Sequence, residues 1–521
     1  MNAQPSGELP RGILIVDLGT QYAQLIARRV REAGAWCEIH PPARALEAAG
    51  AMDLGGVILS GGPASVYAPD APGVPRELLA LGVPVLGICY GMQWMCQELG
   101  GAVQGTGERE FGHTSIEVVQ PRELFAGIEG ETVVWMSHGD RIERLPDGFQ
   151  TYARSRNCPH SAIGDPARGF YGVQFHPEVH HTVRGREVLA SFLFDVCGMA
   201  GDWQPGSIAE REIAKVREQV GADGAVVLGL SGGVDSSVAA VLVQRAIGER
   251  LHCIFVDNGL LRKGEREVVE DTFREHMGMD LTTVDATDRF LGVLAGVTDP
   301  EEKRKKIGHA FVDVFRGEAQ RFRKAHFLGQ GTLYPDVIES VAVHGGNTAT
   351  IKSHHNVGGL PEDLDMELVE PLRELFKDEV RVLGRHLGLD ERILQRQPFP
   401  GPGLAVRIAG EVTAERLAVL READDIVTTE IQDAGAHEGL WQYFAVLLPV
   451  RSVGVMGDAR TYENAVALRI VESVDGMTAD WGYLERELLR TISNRIINEV
   501  SGINRVVLDV SSKPPSTIEW E

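Results

Sequence analysis

The sequence has few of the features that mark secreted, membrane-bound or nucleic-acid-binding proteins. Only six cysteines occur in 521 residues, and no two form a C-x-x-C pair, which argues against a zinc knuckle or a thiol-relay centre. No apolar run approaches the ~18 residues that a membrane span requires. Lysine and arginine total 51 against 74 acidic residues, and a net charge of −23 disfavours nucleic acid as the main partner. Sparse cysteine, and an N-terminus without the basic and apolar regions of a signal peptide, predict a cytoplasmic protein.

The chain does contain regular alternation of strand and helix patterns. Apolar content of 43% and charged content of 24% are ordinary for globular proteins, and the length predicts two to four domains. Alternating buried strands and helices predict an α/β fold class: two consecutive parallel-sheet domains, then a small α+β domain. Gly/Pro-bearing segments at 200–208 and 397–403 mark the boundaries. We therefore predict domains at 1–202, 203–398 and 399–521.

The stretch from Val226 to Ser237, VVLGLSGGVDSS, is the most informative in the chain. An apolar strand breaks into a Ser-Gly-Gly turn, and a helix begins close to Asp235. Two glycines allow backbone N–H groups to approach an anion, and the helix N-terminus adds a positive dipole end. This pattern predicts a phosphate-binding loop. It is not a Walker A loop, because the spacing differs and the lysine is absent.

The pattern SGGxDSS resembles the PP-loop of the N-type ATP pyrophosphatases. The resemblance implies that the loop holds the β and γ phosphates as one leaving group, so that the reaction is adenylylation with release of pyrophosphate. It also implies that the strand after the loop helix supplies one wall of the adenine pocket, and a second glycine loop follows a later strand. The implied ATP-binding residues are Ser231, Gly232, Gly233, Val234, Asp235, Ser236, Ser237, Val256, Gln330 and Gly331.

Three carboxylates are candidates for a magnesium site. Asp336 and Glu339 are three residues apart, so on a helical turn they share a face. Magnesium takes oxygen ligands and bridges phosphates, and the two carboxylates could complete a site with Asp235. The sequence thus predicts Mg²⁺ as the cofactor of an ATP-using site.

A second constellation lies in the first 200 residues. The segment GICYG places Cys89 between two glycines after an apolar strand, which is the form of a nucleophile elbow with cysteine in place of serine. The segment FHPE follows another apolar strand. If that strand continued, His176 and Glu178 would point to one side, where His176 could act as the base for Cys89 and Glu178 could orient it.

Cysteine in G-x-C-x-G followed by H-P-E resembles the class I glutamine amidotransferase family. The resemblance implies that Cys89 attacks the glutamine carboxamide with His176 as base and Glu178 behind it. Residues implied for the oxyanion and for substrate glutamine are Gly61, Gly62, Tyr90, Gln93, Ser137 and His138.

Several C-terminal segments resemble one further family, the glutamine-hydrolysing GMP synthetases. They are IKSHHN, FPGPG, GDARTYE and KPPSTIEWE. The resemblance implies that XMP, ATP and glutamine are the substrates, that Lys352 in a mobile lid stabilises the transferring phosphoryl group, and that the C-terminal domain forms a homodimer. Lys513 and Arg505 offer positive charge for the XMP phosphate. The complete set of XMP-binding candidates is Gln442, Arg505, Lys513, Thr517, Ile518 and Glu519.

Three alternative functions share some of these features. NAD synthetase shares the phosphate loop but not IKSHHN or KPPSTIEWE. A tRNA-thiolating enzyme with the same loop usually carries paired cysteines and a basic face. A non-catalytic scaffold would not need the elbow, the histidine and the glutamate alongside the loop.

Some expectations concern local structure rather than chemistry. The mixed-charge run 301–306 is typical of a solvated helix face. Beyond residue 403 the pattern predicts a βαββαβ order, which begins with a strand at 404–408 and includes a helix at 481–500.

Overall fold

The computed structural model describes residues 11–69, 71–322, 325–337, 366–456, 459–473 and 478–521. The chain divides into two compact units, Met1–Arg211 and Glu212–Glu521. The predicted three-domain boundaries are not tested by this division and stay a prediction. Two predicted site residues, Glu339 and Lys352, lie outside the described residues. Among the residues described, no helix is long and apolar enough to cross a membrane.

The first unit is built on one large mixed sheet. Its strands are β1 (Gly12–Val16), β2 (Trp36–His40), β3 (Leu54–Leu59), β4 (Val85–Ile88), β5 (Ala102–Val118), β6 (Gly130–Arg144), β7 (Gln150–Arg154), β8 (Ala162–Asp165) and β9 (Phe170–Val173). The described strands have the order β2-β1-β3-β4-β9-β8-β7-β5-β6. Strands β2, β1, β3, β4 and β9 are parallel, as predicted. The remaining strands pair antiparallel, an extension that the sequence pattern did not reveal.

Helices cover the parallel part of this sheet. They are α1 (Ala23–Glu32), α2 (Ala45–Ala51), α3 (Tyr90–Glu98) and α4 (Gly185–Ala190), and α5 (Pro205–Val220) follows them in the chain. The strands β1, β3 and β4 are buried along almost their whole length, which is typical of parallel strands covered on both faces. Their carboxyl ends lie at one edge, and the loops that carry chemistry begin there.

The second unit contains an all-parallel sheet, as predicted. Its strands are β10 (Ala225–Gly229), β11 (Leu251–Asp257), β12 (Asp280–Asp285), β13 (Ala325–Gly329) and β14 (Glu367–Val369), in the order β12-β11-β10-β13-β14. The phosphate-loop strand β10 is central in the described sheet, between β11 and β13. This arrangement places the loops after β10, β11 and β13 side by side.

Six helices in the described part of the second unit accompany this sheet, and one of them, α9, begins with a clear side-chain cap. They are α6 (Val234–Ile247), α7 (Glu265–Glu270), α8 (Thr287–Leu294), α9 (Pro300–Ala319), α10 (Lys377–His386) and α11 (Glu391–Leu394). At α9, Asp299 accepts a hydrogen bond from the Glu302 N–H, and Pro300 occupies the first turn, where a missing N–H costs nothing. A further helical turn covers residues 334–337.

The C-terminal region forms a second, smaller sheet in the same unit. Its elements are α12 (Ala414–Asp433), β15 (Gln442–Met456), β16 (Ala459–Glu472), β17 (Asp480–Trp481), α13 (Arg486–Glu499) and β18 (Ile503–Asp509). Strand β16 pairs with β15 and β17 antiparallel and with β18 parallel. Buried residues of both sheets, among them Val227, Ile254, Leu447 and Ile470, belong to one continuous hydrophobic core.

The predicted strand at 404–408 is wrong. Residues Gly403–Arg407 form a 3₁₀ helix, and of the segment only Ile408 bridges to Leu447. Gly403 has φ +62°, and a Cβ there would lie 2.4 Å from the carbonyl oxygen of Leu260, so the chain turns tightly against the loop after β11. Every residue from 403 to 408 is buried, and a short, largely apolar segment does not distinguish a strand from a short helix.

Two other local predictions need correction. The predicted helix at 481–500 begins only at Arg486, because Asp480–Trp481 pairs with β16 as a strand. The charged run 301–306 does lie in helix α9, but its Lys303 is fully buried and donates to the carbonyl oxygen of Ile408 at 2.8 Å and to the Glu521 carboxylate. A buried ammonium group needs such partners, so this face of α9 is not wholly solvated.

Candidate active site

Cys89 stands at the turn between β4 and α3 with the backbone strain expected of a nucleophile elbow. Its φ of 50° and ψ of −107° are unusual for a residue with a Cβ. The flanking glycines permit the turn, because a Cβ on Gly87 would lie 2.5 Å from the Met92 nitrogen and one on Gly91 would lie 2.4 Å from the Leu59 oxygen. The cysteine thus caps the N-terminus of α3, where a thiolate is favoured.

The predicted histidine and glutamate meet this cysteine. His176 lies close enough to Cys89 for the sulfur to influence its protonation, and its Nδ1 lies 2.7 Å from Oε1 of Glu178, with both side chains buried. Strand β9 ends at Val173, so the assumed continuation of the strand is wrong, and the two residues pair across a turn instead. The three side chains have the arrangement of a nucleophile, a base and an orienting carboxylate.

Electrostatics in this group favour a charged histidine. Burial acts to lower the pKa of His176, but the Glu178 carboxylate and the Cys89 sulfur outweigh burial and raise the pKa above its ordinary value. A protonated His176 favours the thiolate form of its partner and can later give its proton to a leaving amine. The ring of Tyr22 packs edge-on against His176, with centroids 5.3 Å apart.

The predicted oxyanion residues lie near the elbow. Gly61 follows β3, and its Cβ position is 3.1 Å from Cε1 of His176 and 3.7 Å from Cβ of Cys89. A Cβ on Gly62 would lie 3.4 Å from the ring of Tyr90, whose hydroxyl donates to the carbonyl of Pro72. The Tyr90 hydroxyl is therefore engaged away from the sulfur, and the oxyanion role of the Tyr90 backbone N–H stays a prediction.

The residues predicted to hold substrate glutamine lie on β6 and α3. Ser137 and His138 are in the middle of β6, and the Ser137 carbonyl oxygen is 3.8 Å from the Cys89 sulfur. Gln93 is buried on α3 and donates to the carbonyl of Asp140 at 2.9 Å. Ser137 therefore lies at the elbow and Gln93 is hydrogen-bonded to β6 beside it, while their binding of glutamine stays a prediction.

His138 belongs to a buried group that the sequence did not reveal. Its Nε2 is 3.1 Å from Oε2 of Glu110, and its Nδ1 is 2.9 Å from the carbonyl oxygen of Asp140. Among the described residues, Glu110, His138 and Cys158 are the group with metal-ligand spacing. Both ring nitrogens of His138 already have protein partners, and burial raises the pKa of the Cys158 thiol to about 11.

The phosphate loop of the second unit has the predicted strand–turn–helix form. Gly232 has φ +71°, and a Cβ there would meet Val269 at 2.7 Å. The hydroxyls of Ser231 and Ser236 are 2.9 Å apart, and that of Ser237 donates to the Gly233 carbonyl at 2.6 Å. These serine hydrogen bonds, to one another and to the backbone, stabilise the conformation of the loop and so position its N–H groups.

Asp235 lies in the first turn of α6, which begins at Val234. One oxygen of its carboxylate is 3.3 Å from Nζ of Lys377, and the other, Oδ1, is buried without a hydrogen-bond partner. An orphaned buried carboxylate oxygen beside a phosphate loop suits a cation. Lys377, at the start of α10, is a loop neighbour that sequence reasoning missed, since nothing in its local pattern distinguishes it from a surface lysine.

The second glycine loop packs directly on the first turn of α6. The Cβ position of Gly331 lies 3.1 Å from the carbonyl carbon of Asp235, and the Gln330 N–H donates to the Val369 carbonyl at 2.9 Å. Asp336 lies in the helical turn 334–337, where its carboxylate accepts from the Leu333 N–H at 3.4 Å. Val256 is buried near the carboxyl end of the neighbouring strand β11.

The C-terminal tail is anchored by buried arginines. Arg407 is fully buried and donates to both carboxylate oxygens of Glu519, at 2.9 and 3.1 Å, while its guanidinium stacks 3.8 Å from the ring centre of Phe444. Arg469, also fully buried, donates to the carbonyl oxygens of Ile518 and Thr517, each at 3.3 Å. These two arginines were not predicted, since buried arginine has no simple sequence pattern.

Other predicted XMP residues divide into two places. Gln442 is buried at the start of β15, and the backbone of Lys513 pairs with Ala479, next to β17 at the same end of the sheet. Arg505 is exposed and donates to the Ser452 hydroxyl at 2.5 Å. In the sheet, Arg505 pairs with Ala465 of β16, whereas Gln442 pairs with Val471 of the same strand. Arg505 and Gln442 are therefore about 20 Å apart along β16.

A cysteine–histidine–glutamate site at an elbow and a Ser-Gly-Gly phosphate loop before a helix define a class of protein. The class is that of glutamine amidotransferases that use ATP, with ammonia released at one site and a substrate activated at the other.

Three family models match successive parts of the chain. The model for glutamine amidotransferase class-I matches residues 14–196, that for NAD synthase matches residues 208–307, and that for the GMP synthase C terminal domain matches residues 429–520. The NAD synthase model covers only the phosphate-loop region, and the third model favours GMP synthase over the NAD synthetase alternative.

Relatives match the chain over nearly its whole length. The glutamine-hydrolysing GMP synthase of Brachyspira hyodysenteriae is 56% identical over 509 residues, covering 98% of this chain and 99% of that protein. That of Thermomicrobium roseum is 56% identical over 521 residues, covering 100% and 98% respectively. The chain belongs to the glutamine-hydrolysing GMP synthase family, as the sequence motifs predicted.

Proposed function

We propose that this enzyme converts XMP, ATP, glutamine and water into GMP, AMP, pyrophosphate and glutamate. The O2 oxygen of XMP attacks the α-phosphorus of ATP and expels pyrophosphate. Ammonia released from glutamine then displaces AMP from the purine. The observation that carries this proposal is the presence, in one chain of this family, of a complete Cys89–His176–Glu178 group and an intact phosphate loop.

Ammonia is released in the first unit. The Cys89 sulfur attacks the glutamine carboxamide, and Gly61, Gly62 and the N–H of Tyr90 stabilise the negative oxygen that develops. His176 gives its proton to the departing nitrogen, which leaves a thioester on Cys89. Water then hydrolyses the thioester to glutamate, with His176 taking the proton of water. The Glu178 contact keeps His176 in the orientation that serves both steps.

Activation of XMP takes place at the phosphate loop. The loop N–H groups and the N-terminus of α6 bind the β and γ phosphates, and Lys377 adds positive charge beside Asp235. We assign ATP contacts to the loop 231–237, to Val256 on β11 and to Gln330–Gly331 after β13. Lys352 is proposed to act on the transferring group, although it lies outside the described residues.

The loop also fits Mg²⁺. The buried, unpartnered Oδ1 of Asp235 is a carboxylate oxygen of the kind that magnesium prefers, and Asp336 is proposed as a second ligand. Glu339, the third proposed ligand, lies outside the described residues. When bound, the ion neutralises phosphate charge and so supports the release of pyrophosphate.

The C-terminal region is proposed to bind XMP and a second copy of the chain. Gln442, Lys513 and the segment 517–519 are the proposed XMP contacts, and Arg505 stays a candidate at the other end of the sheet. Exposed apolar side chains on the β15–β16 hairpin, Val455 at 74% and Tyr462 at 63%, support a homodimer surface here. Sedimentation of the unchanged enzyme tests this, and a monomer at micromolar concentration would exclude it.

Two further assignments belong to this proposal. We propose the cytoplasm as the location, because all six cysteines are free thiols in the described structure, as expected in a reducing compartment. We also retain functional domains at 1–202, 203–398 and 399–521.

Pyrophosphate release with ammonia as nitrogen source tests the proposed reaction. We expect release to require XMP and not to occur with deamido-NAD.

We expect Asp235→Asn to lower kcat/KM by about 10²–10³-fold with either nitrogen source, because the lost carboxylate charge serves both routes.

The matched control for this variant is Asp223→Asn. Asp223 is exposed in the turn before β10, so the same chemical change there should leave the rate unaltered. Pyrophosphate release at the normal rate by Asp235→Asn would remove Asp235 from the proposed metal site. Release that depends on deamido-NAD would contradict the proposed substrate.

A further inference from the structure

The sulfur of Cys89 faces a buried side-chain amide in addition to His176 and the Ser137 carbonyl. Gln174 follows the last residue of β9, and its side chain is fully buried. Its Nε2 lies 3.6 Å from Sγ of Cys89. The position is fixed by the backbone on both sides, since the Cys89 N–H donates to the Val173 carbonyl and the Gln174 N–H donates to the Ser161 carbonyl. A buried side-chain amide thus faces the reacting atom.

The direction of this amide is decided by a chain of hydrogen bonds. Gln93 donates from Nε2 to the carbonyl of Asp140 at 2.9 Å, and a carbonyl can only accept. The same Nε2 donates to Oε1 of Gln174 at 3.0 Å. Rotating the Gln93 amide would place two oxygens together, and rotating the Gln174 amide would place two NH₂ groups together. The NH₂ group of Gln174 therefore faces the sulfur.

The far end of the chain is anchored by buried hydrogen bonds. The Asp140 carbonyl can only accept, so it accepts from Nδ1 of His138, and the other ring nitrogen of His138 faces the Glu110 carboxylate. Glu110 accepts in turn from the Ser155 hydroxyl at 2.8 Å. The Glu110–His138 pair thus fixes the carbonyl that orients Gln93.

We propose that Gln174 is a catalytic residue of the glutaminase site, whose side-chain N–H donates to the Cys89 thiolate and stabilises it. Gln93 orients the Gln174 amide, and the buried Glu110–His138 pair holds Gln93 in place through the Asp140 carbonyl. The inference rests on the proposed role of Cys89 as the nucleophile. A thiolate accepts more strongly from N–H groups than a thiol does. Two donors, His176 and Gln174, therefore hold the sulfur in its reactive form, and Gln93 gains a positioning role in addition to its predicted contact with substrate.

The effect of a Gln174 substitution on the Cys89 thiolate depends on the other polar and charged groups around the sulfur. His176 touches Cys89, with Glu178 and the ring of Tyr22 behind it. From β6 come the Ser137 carbonyl and the Glu110–His138 pair described above. In Gln174→Glu, one carboxylate oxygen still accepts from Gln93 and the other turns a negative charge toward the sulfur. In Gln174→Met, the volume is nearly kept and the donor is lost.

The test is the pH dependence of Cys89 alkylation by iodoacetamide, read by mass spectrometry of the Cys89 peptide in the full-length enzyme. Burial raises the pKa of Cys96, Cys197 and Cys253 to about 12, so these thiols react slowly below pH 9. We expect the half-maximal pH of the reaction to rise by about one to two units in Gln174→Glu and by a smaller amount in Gln174→Met. Glutamine-dependent kcat/KM should fall about 10- to 100-fold in both variants.

The matched control is Gln120→Glu. The amide of Gln120 donates to the Thr151 carbonyl in the same unit, so this variant should keep the alkylation profile of the unchanged enzyme. A merely structural role for Gln174 would lower the melting temperature and leave the alkylation profile where it is, and that result in either variant overturns the proposal. If Gln174→Glu does not fold, Gln174→Met decides alone.

Failure of the proposed nucleophile gives a different result. In that case complete alkylation of Cys89 in the unchanged enzyme would leave glutamine-dependent synthesis intact. If alkylation abolishes synthesis but the variants show no shift in pH, Cys89 keeps its role and only the role of Gln174 is refuted.

Discussion

Cys89→Ala is expected to abolish glutamine-dependent GMP formation, by at least about 10⁴-fold, while formation from ammonia continues. The sulfur is the atom that forms the thioester, and neither His176 nor Glu178 can replace it. The phosphate loop belongs to the other compact unit, so activation of XMP does not need the sulfur. The measurement is the rate of GMP formation with glutamine and, separately, with ammonium at saturating XMP and ATP.

The control for this variant is Cys96→Ala. Cys96 lies on helix α3, which begins just after Cys89, is also buried, and has a pKa raised to about 12 by burial, so its thiol is not a nucleophile at neutral pH. We expect it to retain both activities, with some loss of stability from the deleted sulfur. If Cys89→Ala kept its activity with glutamine, Cys89 would be a core cysteine and the proposed site would be wrong.

The chemistry of the two sites could be predicted because each depends on short contiguous motifs. A strained turn needs glycines at fixed offsets, and a helix begins where a phosphate must be bound, so GICYG, FHPE and SGGVDSS each specify their own geometry. Even the failed assumption of a continuing strand did not matter. His176 and Glu178 are two residues apart, so a turn brings their side chains together as well as a strand would.

The contacts that orient these sites could not be predicted, because they join residues far apart in the chain. In the sequence, nothing distinguishes Gln174 from the rest of its largely apolar segment. The orientation of its amide is set by a hydrogen bond from Gln93, which is 81 positions away. The pairing of Glu110 with His138 depends on the antiparallel register of β5 and β6, which hydrophobic alternation alone did not reveal.

Burial of charged side chains is the other feature that the local sequence pattern does not predict. Lys303 looks like part of a solvated helix face, and Arg407 like the end of a strand, yet both are fully buried. Their partners are Glu521 and Glu519, more than 100 residues away. A run of charged residues in the sequence shows where lysine and arginine side chains are. Only the tertiary structure shows which of these side chains is buried in an ion pair.

These ion pairs sharpen the prediction for the C-terminal tail. Deleting Lys513–Glu521 is expected to abolish GMP synthesis with either nitrogen source, while nucleotide-independent glutaminase chemistry at Cys89 persists. The deletion removes the proposed XMP contacts. It also removes the Glu521 and Glu519 carboxylates from the buried Lys303 and Arg407, and breaking a buried pair from one side typically costs about 3–5 kcal/mol of folding free energy. Loss of activity in the truncated enzyme therefore has two physical causes.

A single substitution separates the two causes. Lys513→Ala keeps Glu519 and Glu521 on their partners, and the backbone pairing of residue 513 with Ala479 does not need the lysine side chain. Loss of one charge-assisted phosphate contact, worth roughly 1.5–3 kcal/mol, should raise the KM for XMP about 10- to 150-fold and leave the KM for ATP nearly unchanged. Both constants are measured at saturating ammonia.

The control is Lys305→Ala, in which an exposed lysine of α9 paired only with Glu301 is removed. It loses the same charge from the same unit, so an equal rise in the KM for XMP there would point to long-range electrostatics instead of a contact. Sedimentation of both variants accompanies the kinetics, because a tail that acted through assembly would lower the dimer fraction together with the affinity for XMP. A dimeric Lys513→Ala enzyme with an unchanged KM for XMP would contradict the proposed contact, since the anchored tail would then hold the sheet together without touching the nucleotide.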